Sequence, residues 1–222
     1  KKKFKISEKN FYKGAFSIVC INDGIFFWRI CLMRQNRLYI DHATYHAMSR
    51  TIELRGIMAT KDVKQLFEEC LKKALAKYKF ELCNYQIMDN HFHVLIKVFP
   101  GEANISRIMQ YIKARFARRF NYLTKRTGPV WNERFKDTIV ELADNPRLYL
   151  CNLIWYFANN PVRAGKIQSP YESWWGASKA YFDTTFKPNI PITLHRYFLD
   201  LGNTLEECIE TLKAILRGEV WI

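Results

Sequence analysis

The sequence predicts an α+β fold, a ferredoxin-like antiparallel sheet with helices packed on one face. Two observations predict it. Apolar periodicity switches between two and about 3.6 along the chain, in the order β-α-β-β-α-β-α. One strand, 91–98, also separates its side chains cleanly by face: Phe92, Val94, Ile96 and Val98 point one way, and His91, His93, Leu95 and Lys97 the other.

The elements follow in order. Residues 43–49 read as a strand. Val63, Leu66, Phe67, Cys70, Leu71, Ala74, Leu75 and Tyr78 repeat at threes and fours, a helix over about 61–79 with Thr60 placed as its N-cap. Residues 81–88 read as a strand, Asp89-Asn90 as a tight turn, and 91–98 as the antiparallel partner. A long helix over 104–124 carries its apolar stripe on Ile105, Ile108, Ile112, Phe116, Phe120 and Leu123, and Thr127-Gly128-Pro129 closes it. Residues 135–142 form the next strand. Asn145-Pro146 opens a helix expected to run to Asn160, where Pro161 stops it. Residues 166–190 look irregular, and 205–216 form a last helix. The expected organisation is an N-terminal extension over 1–32, a core domain over 33–185 and a helical tail over 186–222.

Composition narrows the function. With 35 Lys and Arg against 21 Asp and Glu, the net charge is +14, which points to a polyanionic partner, nucleic acid before membrane surface. No apolar run reaches the length of a membrane-spanning helix. The six cysteines form no CxxC pair and fit reduced thiols in a cytoplasmic protein.

Three constellations carry chemistry. His91 and His93, two apart on a strand, lie about 6.5–7 Å apart along one face and can converge on one cation. Apolar packing of the opposite face should leave them on the more open side. His42 and His46 are taken as structural or surface residues. On the helix that begins at Pro146, Tyr149, Asn152, Tyr156 and Asn160 are spaced three, four and four and share one face. A phenol there can attack a phosphodiester, helped by a cation that polarises the phosphate, and Asn160 can offer a carbonyl oxygen as a third ligand. Without the histidines the stripe would read as a solvent face. Finally, no acidic residue occurs over 104–132, where Arg107, Lys113, Arg115, Arg118, Arg119, Lys125 and Arg126 crowd together. Such a set binds phosphates in a salt-dependent way, with Tyr111, Tyr122 and Trp131 as rings on which unpaired bases can stack.

These motifs resemble a known family. Asn90-His91-Phe92-His93-Val94-Leu95-Ile96 resembles the HUH motif of REP-associated tyrosine transposases and related small insertion-sequence transposases. Asn160-Pro161-Val162-Arg163-Ala164-Gly165, Trp131-Asn132-Glu133-Arg134-Phe135, the stretch from Pro170 to Tyr181 and the opening 33–50 resemble further blocks of that family, in the same order. The resemblance implies an HUH nuclease core that acts on single-stranded DNA, often beside a hairpin of a repeat end. It implies a 5′-phosphotyrosine intermediate and a Mg²⁺ or Mn²⁺ ion, with Tyr156 as nucleophile and His91, His93 and Asn160 as metal ligands. Arg134 and Arg163 join the DNA-binding set. The family includes monomers and homodimers, and the long tail favours a monomer here. The chain departs from the pattern at Asp89, where the family usually has Pro, and at Asn159, where it often has Leu. A carboxylate at 89 would either disturb phosphate approach or touch the metal. The competing expectations are a catalytically inactive nucleic-acid-binding protein of the same fold and a metal-dependent hydrolase that uses water. A covalent adduct separates both from the nuclease.

Overall fold

The computed structural model describes residues 37–220. The extension expected over 1–32 lies outside the described residues. No described helix is long and apolar enough to cross a membrane.

Four strands make one antiparallel sheet: β1 (Thr44–Arg50), β2 (Glu81–Ile87), β3 (His91–Lys97) and β4 (Lys136–Ile139), in the order β2-β3-β1-β4. This is the ferredoxin-like arrangement that the element order predicts. The fourth strand is shorter than the 135–142 expected, because Val140–Leu142 close into a 3-10 turn.

The alternation within β3 sets both layers. Phe92, Val94 and Ile96 are buried in a core with Tyr45 and Ala47 of β1 and the apolar stripes of α1 (Lys61–Lys77) and α2 (Ile105–Thr124). That accounts for the face expected to carry helices. The other face is covered as well. Leu95 of β3 and Cys83 of β2 belong to a second core with α3 (Pro146–Arg163) and α5 (Leu205–Leu216), and Phe198 of the short α4 (Arg196–Leu199) joins it. The expected open side of the histidine strand is therefore roofed by a helix. The reason is that α3 has apolar residues to bury there: Leu150, Leu153, Ile154 and Phe157 are all buried. The helical stretch of the expected tail packs into this second core through Cys208, Ile209, Leu212 and Ile215.

Helix α3 begins as its sequence dictates, with the Asn145 side chain accepting from the Leu148 amide and Pro146 in the first turn. It does not stop at Asn160. Pro161 forfeits only its own bond back to residue 157, and the helix closes two residues later in a Schellman motif. Lys166 N–H donates to Pro161 O and Gly165 N–H to Val162 O, with Gly165 at φ 65°. One polar edge is also closed: Ile87 N–H donates to Trp175 O and Ala177 N–H to Tyr85 O, so residues 175–177 cover the outer side of β2. A Cβ on Gly176 would meet Gln86 Oε1 at 2.3 Å, so only glycine fits this approach.

Candidate active site

The sheet brings three imidazoles together. In the β1–β3 register Arg50 lies opposite His91 and Met48 opposite His93, so His46 sits diagonal to His93 on the same face. His46 Nε2 and His93 Nδ1 share a hydrogen bond of 2.9 Å, with the rings stacked at 5.1 Å. The His91 ring stands edge-on to His93 at 5.1 Å. His91 Nδ1 in turn meets the Asn90 side-chain oxygen at 2.6 Å.

Helix α3 supplies the roof. The Tyr156 ring meets His93 edge-on at 5.3 Å, and Phe157 packs at 5.3 Å from His46 and 5.6 Å from His93. Tyr156 is 37 % exposed, and no partner is found for its hydroxyl among the described residues. Tyr149, the other phenol of the stripe, is held: its hydroxyl lies 3.0 Å from Thr138 Oγ1 of β4. Asn152 is exposed, and Asn160 is half-buried.

Burial disfavours the charged form of all three imidazoles. It pushes the His93 pKa well below its ordinary value, reinforced by His46, His91 and Arg50, and pushes His46 down to about 4. His91 is lowered by burial and by the Arg50 charge. The hydrogen bonds then select tautomers. An amide oxygen can only accept, so His91 donates through Nδ1–H to Asn90 and keeps a lone pair on Nε2. His93 Nε2 is buried with no hydrogen-bond partner. A proton there would be a buried donor without an acceptor, at a cost of about 1–3 kcal/mol. The favoured arrangement puts the proton on His93 Nδ1, donated to His46, and leaves Nε2 as a lone pair.

These residues fit a cation. The chain offers two imidazole lone pairs, and Asn160 Nδ2 is a second buried polar atom without a partner. Turned over, that amide presents its carbonyl oxygen in the same place. His46 occupies the position of a residue that orients a metal-binding imidazole. Among the described residues no three His, Cys, Asp or Glu side chains are grouped to hold an ion, so a cation held by His91 and His93 would need the amide as well.

Both carboxylate oxygens of Asp89 are engaged by lysines. Lys64 Nζ binds its Oδ1 and Lys166 Nζ its Oδ2, each at 2.7 Å. Burial disfavours its charge, but the two ammonium groups outweigh this and hold its pKa below the usual carboxylate value. The Asn159 amide folds back onto Trp155 O at 3.0 Å.

The basic helix lies elsewhere. Because α2 packs against the Phe92 face, Arg107, Lys113, Arg115, Arg118 and Arg119 are separated by the sheet from Tyr156 and the histidines. Arg115 and Arg119, with Lys72 and Lys73, line a cleft of about 410 Å³ between α1 and α2. Lys125 caps α2 in the left-handed region, and Arg126 lies over Phe120. Trp131 does not offer a free ring. It packs on Phe92 and Phe116, each at 5.3 Å, and donates through Nε1 to Lys113 O. Lys113 in turn donates to Glu133 O. Arg134 is exposed in the bend before β4. Arg163 is exposed on α3, three residues after Asn160 and seven after Tyr156, hence on the same helix face.

Sequence reasoning missed His46 and Arg50. Their signal was the alternation of β1, which puts His46, Met48 and Arg50 on the face opposite buried Tyr45 and Ala47. Only the β1–β3 pairing turns that alternation into a site.

Residues 39–147 match the family described as "Transposase IS200 like". This segment belongs to the IS200-like transposase family. The matched segment contains His91 and His93 and ends before Tyr156. Among solved structures, a REP-associated tyrosine transposase bound to a REP hairpin is similar at a TM-score of 0.53 and 18 % identity, covering 65 % of this chain and 82 % of that one. That likeness shows a shared fold. A protein of Deinococcus radiodurans R1 assigned as a transposase matches at a TM-score of 0.37 and 18 % identity, covering 55 % of this chain and 95 % of that one, too distant in shape to bear on the argument. No curated protein matches the chain.

Proposed function

We propose that this transposase-family protein cleaves and rejoins single-stranded DNA through a covalent phosphotyrosine formed on Tyr156. The observation that carries the reading is the pairing of Tyr156, whose hydroxyl has no described partner, with His93, whose buried Nε2 has none either. His91, His93 and Asn160 would hold a Mg²⁺ or Mn²⁺ ion. When bound, the ion supplies a positive charge that polarises the scissile phosphate.

The chain's own residues do the rest. Tyr156 Oη attacks the phosphorus and gives up its proton. The bond from phosphorus to the 3′ oxygen breaks, and that oxygen leaves as a 3′-hydroxyl once protonated. The 5′-phosphate stays on the tyrosine. Attack by a 3′-hydroxyl reverses these steps and reseals a strand, so no nucleotide is consumed. Arg50 is exposed beside His91, with no described side-chain partner, and is placed to bind the phosphate flanking the attack. Arg163 extends the same face along α3. By likeness to the hairpin-bound structure, the proposed substrate is a hairpin with a single-stranded flank. The involvement of Tyr149 in its bond to Thr138 supports Tyr156 as the nucleophile.

A denaturing gel tests this. Labelled single-stranded hairpin DNA from the flanks of the gene is mixed with protein in Mn²⁺ or EDTA. A Mn²⁺-dependent band that survives SDS should appear, vanish in Tyr156→Phe and persist in Tyr149→Phe. Tyr156→Phe should still bind the DNA. Cleavage without an adduct would identify a hydrolase, and loss of the adduct in Tyr149→Phe alone would move the nucleophile.

A further inference from the structure

The turn before His91 and the loop after α3 are tied together by charges that the site itself does not use. Lys64 of α1 is almost fully buried. Its ammonium donates to Met58 O, to Ala59 O at 3.2 Å and to Asp89 Oδ1 at 2.7 Å, and it lies 4.8 Å from the Trp174 ring centre. Lys166 takes the other carboxylate oxygen at 2.7 Å and approaches the same ring from 5.9 Å. Trp174 is fixed in turn, since Gln86 of β2 donates to its carbonyl at 2.6 Å.

Each end of this clasp is mechanically close to the proposed ligands. Lys166 N–H donates to the carbonyl of Pro161, the residue after Asn160, so its backbone is part of the α3 terminus. Asp89 is two residues from His91, in a turn held at several points. Asp89 O accepts from Met58 N–H, and Asn90 O from Thr51 N–H, while the Asn90 side chain holds the His91 ring. A charge at 89 bonded to a charge at 166 therefore closes a loop through Asn160, Lys166, Asp89 and His91.

We propose that Asp89 is a positioning residue that clasps the end of the tyrosine helix to the histidine turn and so sets the spacing of Asn160 from His91 and His93. The proposal rests on the reading of those three residues as the metal site. Asp89 reaches no reacting atom, because both its oxygens are taken by lysines.

Asp89→Asn is a poor probe, since it strips the counter-charge from buried Lys64 and would destabilise the fold. Lys166→Met leaves the Lys64–Asp89 pair intact and removes a partly exposed ammonium whose contribution to global stability is small. Two measurements on the full, DNA-free chain test the clasp. In Lys166→Met the amides of residues 164–166 should exchange hydrogen faster than in the wild type, with the melting temperature nearly unchanged. Mn²⁺ affinity should fall about tenfold, the scale seen when groups supporting metal ligands are removed, and Lys166→Arg should restore both. Unchanged exchange would overturn the clasp. Faster exchange with unchanged Mn²⁺ affinity would reduce it to a surface tie and overturn the positioning role. A wild-type protein that binds no Mn²⁺ and forms no adduct would instead remove the site reading, and the positioning role with it.

Discussion

At the scale of single residues, His46 carries the clearest consequence. It touches no proposed substrate, yet its bond to His93 Nδ1 selects the tautomer that leaves Nε2 as a lone pair. His46→Ala should lower Mn²⁺ affinity by about 10–100-fold while Tyr156 stays in place. A titration followed by calorimetry measures this, and an unchanged affinity would show that His93 does not need its neighbour. Period alone puts His91 and His93 on one face of a strand, and Tyr149, Asn152, Tyr156 and Asn160 on one face of a helix; the choice of Tyr156 among them rests on the family resemblance. His46 and Arg50 could not be placed by period, because their relation to His93 and His91 depends on which strands pair and in which register. The surroundings of Trp131 were hidden for the same kind of reason. An aromatic in a basic, loop-rich stretch reads as a stacking platform until the packing of Phe92 and Phe116 against it is known.

At the scale of elements, the sheet divides the work between its faces. Helix α3 holds the proposed chemistry, and α2 holds most of the basic charge on the far side. Exposed cations on α2 should then contribute to DNA affinity without altering the chemical step. Replacing Arg118 and Arg119 together by Gln should weaken DNA binding and reduce the slope of log affinity against log salt by up to about 1.4 for single strands. The rate of adduct formation at saturating DNA should stay at the wild-type value. A fall in that saturated rate would mean that α2 acts on the chemistry after all. The element order and most helix positions were legible because amphipathic stripes and caps are local. The roofing of the histidine face by α3 was not, since an apolar helix does not announce which of two sheet faces it will cover. Nor was the passage of α3 through Pro161, which depends on Gly165 and the two hydrogen bonds that close the helix beyond the proline.

At the scale of the whole molecule, the native state refuses protons that the unfolded chain accepts. His195 is 2 % exposed, accepts from the Tyr197 amide through Nδ1 and lies 2.8 Å from Thr44 Oγ1 through Nε2. Burial pushes its pKa down to about 4. Above the unfolded value of about 6.5 neither state is protonated, and the full stability is present. As pH falls from there towards 4, the unfolded chain binds protons that the native state excludes, so stability declines. For His195 alone the loss is on the order of 3 kcal/mol, and His46 acts in the same direction. Urea midpoints in EDTA should fall steadily between pH 6.5 and 4, and His195→Gln should lessen the slope. A flat profile over that range would show that these rings are not held neutral.

The clasp at Asp89 also constrains how this chain can change. With Lys64 buried, a proline at 89 would leave an ammonium facing two carbonyls and no counter-charge. An aspartate at 89 without Lys64 would have only a half-exposed lysine to face. Substitution at either position alone therefore passes through a weakened protein. The milder route alters 64 first to an uncharged residue, because Asp89 then keeps Lys166, and 89 second, with 166 free to drift afterwards. Positions 64 and 89, far apart in sequence on a helix and a turn, are in this sense inherited as one character.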